Sequence, residues 1–272
     1  MTRKLAAYAA GLMACTSFTV PAFAQEAPEG LEAPDATEDV IIVTATRRAQ
    51  DVQEIPIAVT AISPEALQNQ GVDNIREVTD LAPSFTSSQA QIASGSVVLR
   101  IRGVGTTSNN IGFESAVGIF IDGAYQSRPG VALNEFVDIE RVEVLRGPQG
   151  TLFGRNTSAG ALNITTVRPD LTEVGGFVNA GYGNFNEISL QGAVNVPLVE
   201  DTLALRVTGA FRARDGMLDI VDRTGSVIGE TNDVDQYLLR AQLGWETDSG
   251  FRGRLIGDFS NSTSSCCGAV EL

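Results

Sequence analysis

The residues best placed to do chemistry lie in a glycine-rich crossing between two predicted strands, 141–146 and 161–166. The crossing contains four glycines: Gly147, Gly150, Gly154 and Gly160. Such a loop after a strand can cradle a phosphate, because its backbone N–H groups reach the ligand without hindrance from side chains. No Gly-Lys-Ser/Thr sequence follows, and the next pattern is not that of an amphipathic helix. We therefore predict close packing against a wall and no phosphate site.

The chain offers little for acid–base, nucleophilic or metal chemistry. It contains no histidine, and its carboxylates lack the spacing of a catalytic pair or a metal site. Its 33 acidic residues outnumber 19 basic ones, which argues against a nucleic-acid-binding protein, since phosphate contacts need clustered Lys and Arg. We predict no enzyme, no metal and no cofactor. Catalysis by Asp or Glu in a secreted β-rich protein stays open as a remote alternative.

The N-terminal segments predict export. Residues 1–24 have a basic start, an apolar stretch and the Ala22-Phe23-Ala24 cleavage pattern of a secretory signal peptide. A lipoprotein signal processed at Cys15 is a less favoured alternative. Residues 25–49 begin with an acidic, proline-containing segment, which predicts a disordered tether. No apolar run in the chain reaches the length of a transmembrane helix.

Several strand and turn motifs after the tether resemble the plug domain of TonB-dependent outer-membrane receptors. The segment Val142–Pro148, V-E-V-L-R-G-P, leads into Phe153-Gly154 and the small residues 158–161. The R-I-R-G run at 100–103 and the strand ending in Asp122-Gly123 match the same family. The residues that carry this resemblance are Arg100, Gly103, Asp122, Gly123, Glu143, Gly147, Pro148, Gly150, Gly154 and Gly160.

The resemblance implies an α+β plug domain over residues 50–169. The sequence predicts a helix capped by Ser63 and ended by Gly71, and a second helix from Asp73 to Pro83. Segments 84–95 and 104–116 are predicted to be polar loops. Charges that alternate along strands normally lie on a solvated sheet face. By resemblance, Arg102 and Arg146 instead dock the plug to barrel acids, which would lie in strands absent from this sequence.

A run of strong β-formers precedes this domain and allows two interpretations. The run spans residues 39–46: Asp39, Val40, Ile41, Ile42, Val43, Thr44, Ala45 and Thr46. It could be an ordinary first strand of the plug. The favoured alternative is an exposed strand that awaits a partner, because addition of a strand needs only backbone donors and acceptors. The run resembles the TonB box, and the resemblance implies TonB as its periplasmic partner.

Residues 170–272 show the alternation of an outer-membrane barrel. Five segments of about ten residues place apolar side chains on one face and polar side chains on the other, as strands in contact with outer-membrane lipid do. The connections at 197–201 and 247–250 are short, whereas 215–235 is long and is predicted to lie outside the cell. The short turn at 183–187 fits this scheme less well. A soluble β-sandwich alternates similarly and stays open as an alternative.

The expected fold class is therefore an α+β plug followed by the start of an antiparallel β-barrel. Plugged transporters of this type use about 22 strands, so five strands predict an N-terminal fragment that does not itself transport. The resemblance implies, for the intact receptor, energy-coupled uptake of a scarce ligand such as a siderophore, cobalamin or glycan across the Gram-negative outer membrane. A plug-like periplasmic binding or signalling module is the alternative. The pattern assigns no role to Cys266 and Cys267.

Overall fold

The computed structural model describes residues 41–48, 50–89, 97–105, 114–127 and 136–265. These residues belong to one unit, Val40–Leu272. The predicted signal peptide and most of the tether lie outside the described residues, as do Asp39, Val40, Cys266 and Cys267.

The first part of the described chain combines short helices with strands. Its elements are, in order, β1 Ile42–Val43, β2 Gln50–Asp51, β3 Val59–Ile62, α1 Pro64–Gln70, α2 Val78–Leu81, β4 Phe85–Gln89, β5 Val97–Ile101, β6 Val104–Gly105, β7 Val117–Ile121, β8 Ala124–Gln126, β9 Ile139–Arg146, α3 Gly150–Phe153 and β10 Gly160–Thr166. The second part is made of strands: β11 Gly175–Tyr182, β12 Ile188–Val199, β13 Leu203–Arg214, β14 Leu218–Val221, β15 Val227–Thr231, β16 Val234–Glu246 and β17 Arg252–Thr263.

Five strands form a sheet in the order β3-β9-β10-β7-β8, which we call the central sheet. Strand β10 runs parallel to β7 and antiparallel to β9. One face packs against α1, α2 and β5 in a core that includes Val142, Val144 and Leu162. The opposite face packs under Val43, Ala45, Ile55 and other apolar residues. The expectation that charges alternating along a strand lie on a solvated sheet face is therefore wrong at Glu143, because both faces of the sheet are covered.

Helix α1 confirms the predicted caps. The Ser63 hydroxyl accepts the Ala66 N–H at 3.3 Å, Pro64 occupies the first helical position, and Gly71 ends the helix with a φ of 64°. The second helix is much shorter than predicted. The side chain of Asn74 accepts the N–H of Arg76 at 2.9 Å, and this local bond stabilises a turn in competition with a helix.

Strand β4 corrects the prediction of a polar loop at residues 84–95. It pairs antiparallel with β5 and is anchored by Phe85, which is fully buried. Its other residues, Thr-Ser-Ser-Gln, carry no apolar alternation. Pairing with a distant strand therefore decides this conformation, and local propensity does not.

The second sheet has the order β11-β12-β13-β16-β17, with every neighbouring pair antiparallel. We call it the meander sheet. All five strands predicted from alternation are confirmed. Its long connection at 215–235 contains an unpredicted hairpin, β14–β15. Within the part of the chain that the structure describes, no helix is both long enough and apolar enough to cross a membrane.

Candidate functional site

Two of the family-like motifs are tight turns. Arg102-Gly103 connects β5 to β6, and Asp122-Gly123 connects β7 to β8. All four residues have positive φ, at 52° and 76° in the first turn and 49° and 81° in the second. Two-residue hairpin turns with both φ values positive match the twist of the paired strands, and Gly and Asp are favoured in them. The motifs therefore set the register of two hairpins.

Three glycines of the glycine-rich crossing are explained by local backbone conformation or by a close neighbouring strand. Gly147 and Gly154 have φ values of 85° and 80°, which other residues adopt only with strain. At Gly160 an added Cβ would collide with the carbonyl oxygen of Leu145 and lie 2.7 Å from Ile101. The neighbour that requires this glycine is thus β9. For Gly147, Gly150 and Gly154, where an added Cβ would have no atom of the described residues within 4 Å, packing against a wall stays a prediction.

The predicted TonB box is partly folded onto the central sheet. Strand β1 pairs antiparallel with β2 through Ile42 and Val43. Val43 and Ala45 are completely buried, whereas Ile41 and Ile42 are 51% and 44% exposed. The run therefore has an open first half and a docked second half. Its assignment as a TonB box stays a prediction.

A buried carboxylate of β9 holds the docked half of this run. Glu143 accepts the backbone N–H of Thr44 at 2.6 Å and the Thr44 hydroxyl at 3.1 Å. Its other partners are the Nδ2 of Asn163, at 3.0 Å, and the Nε of Arg141, at 2.9 Å. The Glu143 side chain has no exposed surface. A buried charge is stable in a sheet only when it is fully partnered, as it is here.

The two sheets meet through a second buried carboxylate. Asp138 receives both the Nε and the Nη2 of Arg206, at 2.7 and 2.5 Å, and the hydroxyl of Thr208 at 2.7 Å. The side chains of Asp138 and Arg206 are 1% and 10% exposed. Two parallel hydrogen bonds fix the guanidinium in one plane. The pair therefore positions the start of β9 on strand β13.

Asp122 makes a similar contact beside its hairpin turn. Its carboxylate accepts the Nη2 of Arg254 at 2.6 Å, and the N–H and hydroxyl of Thr166 at 3.1 and 2.8 Å. Nearby, Gln242 donates to the carbonyl oxygen of Val167 at 3.0 Å. These contacts fix the end of β10 against strands β16 and β17. They also give the Asp-Gly motif a docking role besides its turn.

The arginines expected to dock behave differently. Arg102 is exposed at its turn, and Arg146 donates at 3.4 Å to the carbonyl oxygen of Val59. Within the described ranges neither forms an ion pair, and the buried Nε of Arg146 has no hydrogen-bond partner. Arg100 donates to the Ser88 hydroxyl at 3.1 Å. Docking of Arg102 and Arg146 to barrel acids stays a prediction. The two ion pairs described above between the parts, Asp138–Arg206 and Asp122–Arg254, combine acids of the first part with arginines of the meander sheet.

Two carboxylates near the contact between the sheets have shifted pKa values. The pKa of Asp73 is raised, first by loss of hydration where it packs and then by the negative charge of Glu77. Arg212 opposes this shift from β13. The pKa of Asp170 is lowered, mainly because the Thr172 hydroxyl donates to it at 2.7 Å.

The outer face of the meander sheet is apolar and exposed. Side chains alternate along β12, where Leu190, Val194 and Val196 are exposed while Ala193 and Asn195 are buried. Leu238, an apolar residue of β16, is buried on the inner face. It packs there with Val137, Ala210 and Phe177, and this contact explains why an apolar residue occupies an inward position.

Comparison with known families decides what the first part of the chain is. The model of the TonB-dependent Receptor Plug Domain family matches residues 51–161. This part of the chain is a TonB-dependent receptor plug domain. The matched range contains α1, α2, α3, β4–β6 and four strands of the central sheet, and it ends at the second residue of the fifth, β10. The meander sheet supplies antiparallel strands of the receptor barrel.

Curated relatives are similar to more than half of the chain. An iron-regulated outer membrane virulence protein of Vibrio cholerae serotype O1 is 30% identical over 216 residues, which cover 73% of this chain and 30% of that protein. The vitamin B12 transporter BtuB of Vibrio vulnificus is 31% identical over 152 residues, covering 54% of this chain and 24% of that protein. The chain thus spans about a third or less of the length of these relatives.

A solved structure shares the same fold. The pyoverdine outer membrane receptor FpvA from Pseudomonas aeruginosa PAO1, bound to pyoverdine, superposes with a TM-score of 0.65 at 19% identity. The match covers 82% of this chain and 31% of that receptor. The plug domain and the first barrel strands therefore have the arrangement of a TonB-dependent receptor.

Sequence reasoning missed the docking roles of Asp138 and Asp122 and the contact of Glu143 with Thr44. At Glu143 the only local signal was an acid between two valines of a strand, and alternation also assigns such an acid to a solvated face. Nothing in the sequence indicated Arg206 as the partner of Asp138. Over the ranges described, no group of three or more acidic, Cys or His side chains is arranged to hold a metal ion.

Proposed function

We propose that this chain provides the plug and first barrel strands of a receptor that imports a scarce ligand across the outer membrane with energy delivered by TonB. The observation that carries the proposal is a plug domain joined to barrel strands by buried ion pairs, with the edge of β1 exposed beside it. The names of the relatives, which include a vitamin B12 transporter and a ferrioxamine B receptor, support cobalamin or a siderophore as the class of ligand.

Placement in the outer membrane is supported by the apolar outer face of the meander sheet. Val178, Leu239 and Leu255 are all more than half exposed on that face, as expected for side chains that contact lipid. A periplasmic binding or signalling module would not need such a face. Recovery of the chain as a soluble periplasmic protein would contradict outer-membrane placement.

Transport itself requires more than the described strands. The meander sheet ends at β11 and β17, and in lipid the backbone groups of both edges must be paired. We therefore assign uptake to a closed barrel that includes further strands. The 272-residue chain alone is expected to support no uptake.

The proposed TonB site is tested by binding of the periplasmic domain of TonB to the purified chain. Ile42→Pro removes a backbone donor that an added strand would use, while Ile42→Ala keeps it. We expect the wild type and Ile42→Ala to bind equally, and Ile42→Pro to bind about tenfold or more weakly. Equal binding by all three proteins would contradict the assignment of residues 39–46.

A further inference from the structure

Strand β1 has one edge paired and one edge turned away. The N–H of Val52 donates to the carbonyl oxygen of Ile41 at 2.9 Å. Backbone groups alternate in direction along a strand, so Ile41 and Val43 direct theirs at β2. The backbone groups of Ile42 and Thr44 therefore face the opposite edge, which is the edge that an added strand requires.

Only part of that edge is available. Ile42 is 44% exposed, but the N–H of Thr44 donates to the carboxylate of Glu143 at 2.6 Å. The Thr44 hydroxyl lies within 3.3 Å of both Glu143 oxygens. An incoming strand that pairs beyond Ile42 must first take the Thr44 N–H from Glu143.

We propose that Glu143 is a positioning residue that competes with TonB for the backbone N–H of Thr44 and so limits the affinity of the predicted TonB box. The inference rests on the proposed function, because it takes residues 39–46 as the TonB-binding strand. It assigns to the acid of the V-E-V-L-R-G-P motif a role in partner binding.

The surroundings of Glu143 allow this contact to open reversibly. When Thr44 leaves, the carboxylate keeps the Nε of Arg141 and the Nδ2 of Asn163 as donors. The buried charge is therefore not left unpartnered, which would be the costly outcome. The release removes the Thr44 contacts and leaves the central sheet intact, so the contact can regulate access to the edge without unfolding the plug domain.

The central test compares Glu143→Gln with Glu140→Gln. Glu140 and Glu143 both belong to β9 and both form an ion pair with Arg141, and each substitution changes the acid to the corresponding amide. Only Glu143 contacts Thr44. Loss of the carboxylate charge weakens the hydrogen bond from the Thr44 N–H. We expect the Thr44 amide to exchange with deuterium about tenfold faster in Glu143→Gln, and at the wild-type rate in Glu140→Gln.

Affinity for the periplasmic domain of TonB provides the second measurement. A binding-competent state that is rarely populated lowers the apparent affinity in proportion, so Glu143→Gln is expected to bind about tenfold more tightly than the wild type. Glu140→Gln is expected to bind like the wild type. Unchanged affinity together with unchanged Thr44 exchange would overturn the proposal.

A third variant tests the contact without altering the buried strand. Thr44→Val keeps the backbone N–H and deletes the hydroxyl contacts with Glu143. It also removes the hydroxyl as an acceptor for the Nδ2 of Asn163, at 3.1 Å, and the Nη2 of Arg141, at 3.4 Å. We expect faster amide exchange at residue 44 by a few-fold, and wild-type exchange would again overturn the proposal. Failure of the proposed function can be distinguished from failure of this inference. If residues 39–46 do not bind TonB, Ile42→Pro would bind TonB as the wild type does. Amide exchange at Thr44 tests the Glu143 contact in the absence of TonB.

Discussion

Individual carboxylates of the plug domain differ in role because they differ in surroundings. Glu143 and Asp138 are buried and accept several donors each, so their charges hold neighbouring segments in place. Asp73 lies where the plug domain meets β13, and its main neighbour of the same sign is Glu77. A carboxyl in such a place titrates at a higher pH than in the unfolded chain.

The raised pKa of Asp73 predicts a pH effect of defined sign. An acid whose folded-state pKa is raised contributes stability that is fully present below its unfolded pKa and is lost as pH rises through the folded pKa. Asp73→Asn should therefore become more stable relative to the wild type as pH rises from about 3.5 to about 6. The measurement is the free energy of unfolding of both proteins in detergent across that range.

Asp170→Asn is the matched control for this measurement. In the wild type, the pKa of Asp170 is lowered by the Thr172 hydroxyl. The stability that this carboxylate contributes is therefore present above its unfolded pKa and is lost as pH falls through its folded pKa. The variant should lose stability relative to the wild type as pH rises through the same range. Parallel pH curves for Asp73→Asn and the wild type would contradict the assigned shift.

The strands of the meander sheet show how one element serves two environments. Along the middle of β12 every second side chain faces outward, and the intervening ones lie on the inner face of the meander sheet. Val194 is 54% exposed in the middle of the strand, whereas Gln191 faces inward. A charge therefore has very different costs at these two positions, although they lie three residues apart.

We expect Val194→Arg to weaken association of the chain with phospholipid vesicles, measured by flotation. Arginine on a face that contacts lipid costs up to about 2–4 kcal/mol, depending on its depth, and we expect the vesicle-bound fraction to fall by up to about tenfold. Gln191→Arg adds the same charge to the inner face and should leave flotation near the wild-type level. Equal losses in the two variants would argue against a lipid-facing outer surface.

At the scale of the whole molecule, buried ion pairs join the plug domain to the barrel strands. Asp138 binds Arg206, and Asp122 binds Arg254. The polarity is the reverse of the predicted one, since the acids belong to the plug domain and the arginines to the barrel. The apolar contact of Leu238 with Val137 lies on the same side of the sheet. The paired charges, together with this apolar contact, therefore fix the orientation of the plug domain relative to the barrel strands.

Breaking the Asp138–Arg206 pair should be costly. Asp138→Asn leaves a buried guanidinium without its counter-charge, and we expect a loss of about 3–5 kcal/mol in the free energy of unfolding. Glu246→Gln is the control, because its partner Arg252 is 76% exposed and surface pairs contribute about 0–1 kcal/mol. Denaturant unfolding in detergent provides the measurement.

A double variant separates the pair from its surroundings. Asp138→Asn combined with Arg206→Met removes both charges, so no buried charge is left unpartnered. We expect it to be more stable than Asp138→Asn alone, with a clear interaction energy in the double-mutant cycle. Additive losses would show that the two side chains stabilise the fold independently.

Much of the fold could be predicted because its signals are local. Alternation with a period of two revealed the five barrel strands, and Ser63, Pro64 and Gly71 marked helix α1. The R-I-R-G and Asp-Gly motifs were visible in the sequence, but only the structure showed that Gly103 and Gly123 belong to hairpin turns with positive φ. Strand β4 escaped prediction because its conformation depends on pairing with β5, and local residue types do not indicate it.

The sequence by itself determined the plug motifs, the strand alternation and the β-forming run at 39–46, since each depends on residues close together along the chain. Only the tertiary structure decided the partners of the buried charges. Thr44 and Glu143 are 99 residues apart, and Asp138 and Arg206 are 68 apart. An acid in an alternating strand can face water or lie under another segment of the chain. Glu143 lies under another segment, because apolar residues between 41 and 57 pack over the central sheet.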